Sequence, residues 1–222
     1  MAGGESERHR DLKQRAAGWA ERAGFAILGE EVRLPGSPFR ADLAACRRPR
    51  SGSADPGESA VFECKQARPD LRKDANAEAA TRQRLSNLLS RQRRLESLLA
   101  RHLPNLRHGE TLFPEYDSLD LDGFQHGPIH KVRREAEALS RRLYGGTKFD
   151  RIVRYRSADF CYLVLTEELA AGYAPPQGWG LLVVEGDGLR LERRPIHLEA
   201  GPVRRLALLV SIARKAARGV RN

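Results

Sequence analysis

The stretch VFECKQARPDLRKD, residues 61–74, begins as an apolar strand and ends as a charged segment. Its apolar part contains a glutamate and a lysine two positions apart, and side chains with that spacing point to the same face of a strand. Glu63 and Lys65 therefore share one face, while Phe62 and Cys64 share the other. A cross-strand ion pair on a solvated face is the ordinary interpretation of such a pattern. The remainder of the chain has to decide between that ion pair and a functional site.

A second polar strand residue lies upstream of this glutamate. The segment FRADLAAC, residues 39–46, alternates in the manner of a half-buried strand and carries Asp42. The 47–59 segment that follows is rich in proline, glycine and serine, which is typical of a loop. Residues 39–46 and 60–66 are therefore predicted to form an antiparallel hairpin with a long connection, which brings Asp42 and Glu63 onto neighbouring strands.

The overall charge indicates a polyanionic partner. Lysine and arginine total 39 against 29 aspartates and glutamates, which gives a net charge of +10 and a pI of about 10.1. Such a balance is most often associated with nucleic acid. DNA is the expected partner, with RNA as an open alternative. An anionic membrane surface and non-specific association with ribosomes are the less specific interpretations of the same charge.

Composition favours a cytoplasmic protein. We find no apolar run that approaches the roughly 18 residues that a membrane helix needs, and the charged start MAGGESERHRDLKQR has no secretory signal pattern. We therefore expect no membrane partner. Three scattered cysteines in apolar segments, Cys46, Cys64 and Cys161, are typical of buried thiols in a reducing compartment.

Periodicity along the chain predicts an α/β sandwich with a mixed sheet. One domain is expected over 1–200 with a helical insertion at about 72–147, followed by a basic helix at 201–222. The predicted elements are a helix at 5–23, strands at 25–34, 39–46 and 60–66, helices at about 85–103 and 128–144, a strand at 160–166, a hairpin at 178–194 and a helix at 202–218. On the last helix an apolar stripe is expected to dock on the domain: Val203, Leu206, Leu209, Val210 and Ala213.

The polar strand residues together predict a divalent-cation site. Two carboxylates buried side by side repel each other and need a compensating cation. Mg²⁺ is a hard ion that carboxylates, a backbone carbonyl, water and phosphate can hold together, and Mn²⁺ is a possible substitute. Such an ion polarises a phosphoryl group, and a nearby lysine can stabilise developing negative charge. Because their repulsion would be relieved, both Asp42→Asn and Glu63→Gln are expected to stabilise the metal-free fold.

These motifs resemble a known nuclease superfamily. RAD at 40–42, a spacer and VFECKQ at 61–66 are similar to the signature of the PD-(D/E)xK, restriction-endonuclease-like nucleases, although Ala41 stands where the signature has proline. Within that superfamily the chain resembles small bacterial nucleases linked to DNA repair. The resemblance implies a restriction-endonuclease-like sandwich and a nuclease-like domain over 1–200. It covers about 5–75 and 150–197, so it leaves most of the insertion and the basic tail unassigned.

The resemblance also implies roles for individual residues. Asp42 matches the first metal ligand and Glu63 the second, while Lys65 matches the catalytic lysine. The backbone carbonyl of Cys64 would be a further metal ligand. An additional acid is expected on the first helix, where Asp11 and Glu7 suit the position and Glu21 and Glu31 are weaker candidates. Gln66 falls where relatives place a polar residue, and a contact to nucleic acid is expected from it. Positive charge, and not the resemblance, leads us to expect contacts to nucleic acid from Arg40, Arg214, Lys215 and Arg218, although Arg40 could equally neutralise the acidic pocket.

The sequence thus favours a Mg²⁺-dependent nuclease that hydrolyses phosphodiester bonds of DNA, in repair or processing. Two other hypotheses stay open. One is a non-catalytic nucleic-acid-binding protein of the same fold, and the other is a basic RNA-associated structural protein whose Glu-x-Lys pattern is only an ion pair. A homodimer is possible under all three hypotheses.

Overall fold

A computed structural model of the chain describes residues 6–49, 56–67, 79–103, 107–108, 118–119, 127–171 and 173–219. Its helices are α1 (Glu7–Arg22), α2 (Ala79–His102), α3 (Gly127–Tyr144), α4 (Lys148–Arg154), α5 (Glu167–Ala170) and α6 (Gly201–Gly219). Its strands are β1 (Phe25–Arg33), β2 (Arg40–Arg47), β3 (Ser59–Lys65), β4 (Arg107–His108), β5 (Ser118–Leu119), β6 (Phe160–Leu165), β7 (Trp179–Glu185) and β8 (Gly188–Arg193).

Six of these strands pair into one mixed sheet in the order β1-β2-β3-β6-β7-β8. The pairings β3–β6 and β6–β7 are parallel, whereas β1–β2, β2–β3 and β7–β8 are antiparallel. The predicted hairpins β2–β3 and β7–β8 and the central position of β6 are therefore confirmed. The two-residue strands β4 and β5 form a small separate pair.

Helices cover both faces of the sheet, as the predicted α/β class requires. On one face α1 packs its buried residues, including Leu12 and Trp19, against aromatic side chains of β3 and β6 such as Phe62. The other face is covered by apolar side chains from α2, α3, α4 and α6. Strand β3 is consequently buried along almost its whole length. Any charged side chain within it needs a partner inside the protein.

The predicted insertion at 72–147 contains α2, α3 and the small β4–β5 pair among the residues that the structure describes. Helices α2 and α3 pack on each other, and Leu85 of α2 and Leu143 of α3 join the core of the sheet. Directly after the insertion comes α4, a seven-residue helix that the periodicity did not predict. No helix among the described residues is long and apolar enough to cross a membrane.

The final helix α6 docks through a different face than the predicted stripe. Leu208 and Ile212 are buried, whereas Val203 is 82% and Leu206 52% exposed. Ile212 lies so close to β1 that a Cβ added at Gly29 would come within 2.9 Å of its Cγ2. Val210 and Ala213 are exposed as well, whereas Leu209 packs against the core. The expectation that the whole stripe docks is therefore wrong, and it holds for Leu209.

A buried ion pair explains the orientation of α6. Asp159, at the start of β6, is fully buried and accepts hydrogen bonds from the backbone and hydroxyl of Ser59 and from the Ala200 N–H. Arg205 of α6 completes this set with two hydrogen bonds of 2.9 and 2.8 Å. Since a buried carboxylate without a cation is costly, Arg205 has to face the sheet, and the residues one helical turn further along follow it.

Candidate functional site

Strand register places three carboxylates side by side on adjacent strands, and we call them the carboxylate row. The pairing of β1 with β2 is regular on either side of Glu31 and places this residue opposite Asp42. The pairing of β2 with β3 extends to Leu43 and Phe62, and one further step places Asp42 opposite Glu63. Directly opposed residues have Cβ atoms about 5 Å apart. The row therefore consists of Glu31, Asp42 and Glu63.

Strands β2 and β3 part at the centre of this row. The last paired residues are Leu43 and Phe62, and beyond them the N–H of Cys64 donates to Oδ2 of Asp42 at 2.7 Å. The carboxylate thus takes the place of a backbone acceptor, which satisfies a buried N–H and fixes the orientation of the side chain. A role for the Cys64 carbonyl as a metal ligand stays a prediction. Burial raises the pKa of the Cys64 thiol well above its usual value, so this thiol is not a nucleophile.

Glu63 is 1% exposed and is held by a lysine that the motif does not contain. Nζ of Lys148 donates to Oε2 of Glu63 at 2.7 Å and lies 2.7 Å from Oε1. The same ammonium donates to the carbonyl of Arg40 at 2.7 Å. Burial, and then the negative charge of Asp42, raise the pKa of Glu63 to about 7, against the opposing charges of Lys148 and Lys65. Glu63 therefore changes protonation near neutral pH.

Asp42 differs from its neighbour in protonation. Burial disfavours its charged form, but hydrogen bonding by His9 and by the Cys64 N–H, with the charge of Lys148, lowers its pKa below the usual value. Nε2 of His9 lies 3.7 Å from Oδ1 of Asp42. Around neutral pH the fold thus keeps one carboxylate ionised beside another that is partly protonated, as expected for two acids that share a site.

Glu31 supplies the third carboxylate from an unusual backbone conformation. Its φ of 53° lies in the left-handed region, which costs a non-glycine residue about 1 kcal/mol or more and recurs at functional sites. Its carboxylate lies 3.4 Å from the buried ammonium of Lys13, which also pairs with Glu30 at 3.0 Å. Ligand atoms of His9, Glu31 and Asp42 lie within 4.8 Å of one another. These three residues form the group of potential metal ligands that the described part of the chain brings together.

Helix α1 contributes a histidine where an acid was expected. His9 faces Asp42, whereas Asp11 pairs with Arg15 on the same helix at 2.7 Å and Glu7 is exposed. Residues two apart on a helix point about 200° away from each other, so His9 and Asp11 cannot both face the sheet. Of the weaker candidates, Glu31 does lie in the site.

Short helix α4 positions Lys148. Phe149, the next residue, is fully buried and packs edge-on against Trp179 with ring centroids 4.9 Å apart, and the indole N–H of Trp179 donates to its carbonyl at 3.2 Å. The side chain of Thr147 caps the helix start. Nζ of Lys65 lies 5.8 Å from the Phe149 ring centroid. Phe149 thus anchors the backbone beside Lys148, and its ring lies near the ammonium of Lys65.

Residues predicted to bind nucleic acid lie in two places. The Arg40 side chain is 64% exposed at the site, with Nη1 3.6 Å from Oε2 of Glu31. Gln66 accepts a hydrogen bond from the hydroxyl of Ser6, which caps α1, so it also joins the end of β3 to that helix. Three further residues are exposed on the last turns of α6: Arg214, Lys215 and Arg218.

Comparison with known proteins identifies a similar fold and no family. No family model matches the sequence, and no curated protein matches it. A solved structure of a protein of unknown function from Silicibacter pomeroyi is similar with a TM-score of 0.51 and 16% sequence identity. The match covers 98% of this chain and 91% of that one. At this level of identity the similarity concerns the fold alone.

Proposed function

We propose that the chain is a metal-dependent nuclease of the restriction-endonuclease-like fold that hydrolyses phosphodiester bonds of DNA. The observation that carries this proposal is the geometry of Asp42 and Glu63. They are opposed on adjacent strands at the point where the strands part, and Lys65 follows two positions later on the same face. An ordinary surface ion pair would not require a carboxylate that is 1% exposed beside a second carboxylate.

The donor set suits a hard divalent cation. Asp42 and Glu63 offer carboxylate oxygens, which hard divalent ions prefer, and Oε1 of Glu63 is buried 2.7 Å from the Lys148 ammonium without a hydrogen bond of ordinary geometry. Asp42 and Glu63 would hold the ion, and Mg²⁺ or Mn²⁺ would fit the same oxygens. When bound, the ion would supply Lewis acidity toward a phosphoryl oxygen.

The chain's own residues account for the remaining tasks. Lys65 is half-buried beside the row and can stabilise negative charge that develops on a phosphate. Arg40 and the exposed basic residues of α6 can bind backbone phosphates, in keeping with the net charge of +10. A cytoplasmic location is part of the proposal, supported by three free, buried cysteines.

A specific observation favours a second candidate, a non-catalytic nucleic-acid-binding protein of the same fold. Lys148 already neutralises Glu63 from within the protein, so the buried carboxylate has a partner without any metal ion. In that case the site would be a structural ion pair and the basic surface would bind nucleic acid without cleaving it. A basic RNA-associated structural protein is a variant of this candidate that differs in its ligand.

One cleavage experiment separates these candidates. Purified protein is incubated with supercoiled plasmid, single-stranded DNA and RNA, each with Mg²⁺, Mn²⁺ or EDTA. Wild type should cleave DNA only with metal. Glu63→Gln and Asp42→Asn, purified in parallel, should each lose more than about a hundredfold in rate because a metal ligand is gone. Glu168→Gln is the matched control, since Glu168 is exposed on α5.

Three outcomes would contradict the proposal. Folded wild-type protein that binds DNA and cleaves nothing in either metal would favour the non-catalytic candidate, and preferential RNA binding without cleavage would favour the RNA-associated one. Equal activity of Glu63→Gln and wild type would remove the row from the reaction.

A further inference from the structure

Lys148 occupies both oxygens of Glu63, a carboxylate that would hold the divalent ion in the proposed site. Its Nζ is 2.7 Å from both oxygens of Glu63, and its charge also lowers the pKa of Asp42. An ion on the same carboxylate would lie about 2.1 Å from an oxygen. The ammonium and a divalent ion, both bound to this one carboxylate, would lie close together and would repel each other strongly.

We propose that Lys148 is an internal cation that a divalent metal ion must displace in order to bind Glu63. This inference rests on the proposed function of the site and adds a competitor to it. The lysine lies outside the Asp, Glu and Lys motif and comes from α4, 85 positions after Glu63 in the chain.

Anchoring of α4 makes such a displacement a side-chain event. The backbone beside Lys148 is fixed by buried Phe149 and by the hydrogen bond from Trp179 to the Phe149 carbonyl. The Lys148 side chain itself is 21% exposed, so it reaches from solvent into the site. Rotation about its flexible stem can withdraw the ammonium while the helix stays in place.

Charge explains why a divalent ion would be the effective competitor. A monovalent ion would bring no more charge to Glu63 than the ammonium that it replaces, and it would forfeit the hydrogen bond of Lys148 to the Arg40 carbonyl. A divalent ion can balance Asp42 and Glu63 together. Lys148 would therefore lower the affinity of the site for every ion, and divalent ions would still bind more tightly than monovalent ones.

Metal affinity tests the inference without relying on catalysis. Mg²⁺ binding is measured by isothermal titration calorimetry on wild type, Lys148→Met and Glu63→Gln at pH 8.5, where protons do not compete for Glu63. Lys131→Met is the matched control, because Lys131 is an exposed lysine of α3. A hydrogen bond to a charged group corresponds to about one to two factors of ten in an equilibrium constant. Lys148→Met should bind Mg²⁺ roughly ten- to one-hundredfold more tightly, Lys131→Met should match wild type, and Glu63→Gln should lose binding.

The sign of the effect distinguishes competition from a structural role. A Lys148→Met variant that binds Mg²⁺ as wild type does, or more weakly, overturns the displacement of Lys148 while the proposed function stands, provided Glu63→Gln abolishes binding. Absence of Mg²⁺ binding in wild type and Lys148→Met alike contradicts the proposed function itself. Lys148→Gln, which keeps a polar group, replaces the methionine variant if circular dichroism shows that the latter is unfolded.

Discussion

Replacing Glu63 by glutamine should stabilise the metal-free protein above neutral pH. The fold raises the pKa of this carboxyl from 4.5 to about 7, because it is buried beside Asp42. Between these two values the folded state keeps a proton that the unfolded state releases. The free energy of unfolding of the wild type therefore falls as the pH rises through this window. Glutamine reproduces the neutral form and does not titrate, and its carbonyl oxygen can still accept a hydrogen bond from Lys148.

The two pKa values of Glu63 set the magnitude. One pKa unit corresponds to 1.36 kcal/mol, so Glu63 should lower the free energy of unfolding of the wild type by about 3 kcal/mol between pH 4 and pH 8.5. For a chain of this length that is roughly 6–12 °C in the midpoint of thermal unfolding. At pH 8.5 Glu63→Gln should exceed the wild type by about this amount, and near pH 5 the two should be nearly equal.

Urea unfolding in EDTA at pH 5, 6, 7 and 8.5 measures this difference. Trp19 and Trp179 are both buried, so tryptophan fluorescence reports their exposure on unfolding. Glu168→Gln, which removes an exposed carboxylate, should follow the wild type at every pH. If the free energies of unfolding of wild type and Glu63→Gln run parallel from pH 5 to 8.5, burial and Asp42 do not raise the pKa of Glu63.

Three other predictions follow from the described contacts. Asp42→Asn should lower the free energy of unfolding by about 1–3 kcal/mol, because the fold lowers the pKa of Asp42 and uses its charge as the acceptor for the Cys64 N–H. This loss should be largest near neutral pH and shrink as the pH falls through the lowered pKa, which the same urea unfolding shows when it is extended below pH 3.8, the ordinary pKa of an aspartate. Arg205→Met should cost about 3–5 kcal/mol in urea unfolding, since it leaves Asp159 buried without its cation, and adding Asp159→Asn should recover part of the loss. Replacing three exposed residues of α6, Arg214, Lys215 and Arg218, by glutamine should flatten the slope of log K against log salt for duplex DNA by about two to three, measured by fluorescence anisotropy. Cleavage at saturating DNA should be retained. An unchanged slope would mean that these three residues have another role.

Asp42→Asn and Glu63→Gln are expected to change the free energy of unfolding in opposite directions, which the sequence did not predict. Repulsion between two acids is symmetric, so the motif alone led us to expect stabilisation from both Asp42→Asn and Glu63→Gln. The structure breaks the symmetry because His9 and the Cys64 N–H lower the pKa of Asp42, whereas burial and the charge of Asp42 raise the pKa of Glu63. The contacts of Asp42 with His9 and Cys64 join residues that are 33 and 22 positions apart, and no local pattern reports them.

Local patterns were sufficient for the six strands of the main sheet and for the longer helices, but not for β4, β5, α4 or α5. Period-two alternation with flanking turn residues located β2 and β3 and the β7–β8 hairpin within a residue or two. The same alternation placed Asp42 and Glu63 on neighbouring strands. The structure confirms this placement, and the two residues lie one position beyond the last paired residues of β2 and β3. These features could be predicted because each depends on residues that are close together in the chain.

Helix α4 shows where local patterns become too weak. It has seven residues, too few to display an amphipathic period, and it follows two glycines, Gly145 and Gly146. A signal was nevertheless present, because Thr147 followed three residues later by Asp150 has the spacing of a helix-capping box. Recognising that cap would have placed Lys148 at a helix start, although its contact with Glu63 depends on tertiary packing.

The prediction of the docking face of α6 was wrong for a related reason. Counting apolar residues favoured the stripe through Val203 and Leu206, whereas the observed face is centred on Leu208. The deciding residue is a charged one, Arg205, whose partner Asp159 lies 46 positions earlier. A buried ion pair with two hydrogen bonds outweighs the transfer of two partly exposed aliphatic side chains.

Burial of β3 on both faces connects the fold with the proposed chemistry. Glu63 lies in a strand that is buried almost throughout and is itself 1% exposed, so its carboxylate must be protonated or matched by a cation. Lys148 and Lys65 oppose the charge of Glu63, yet the pKa of Glu63 stays raised to about 7 beside an Asp42 whose pKa is lowered. A divalent ion can balance both carboxylates. The packing that buries Glu63 thus destabilises its ionised form in the metal-free fold, and a bound divalent ion would stabilise that ionised form. Metal binding should therefore be accompanied by release of a proton from Glu63 near neutral pH.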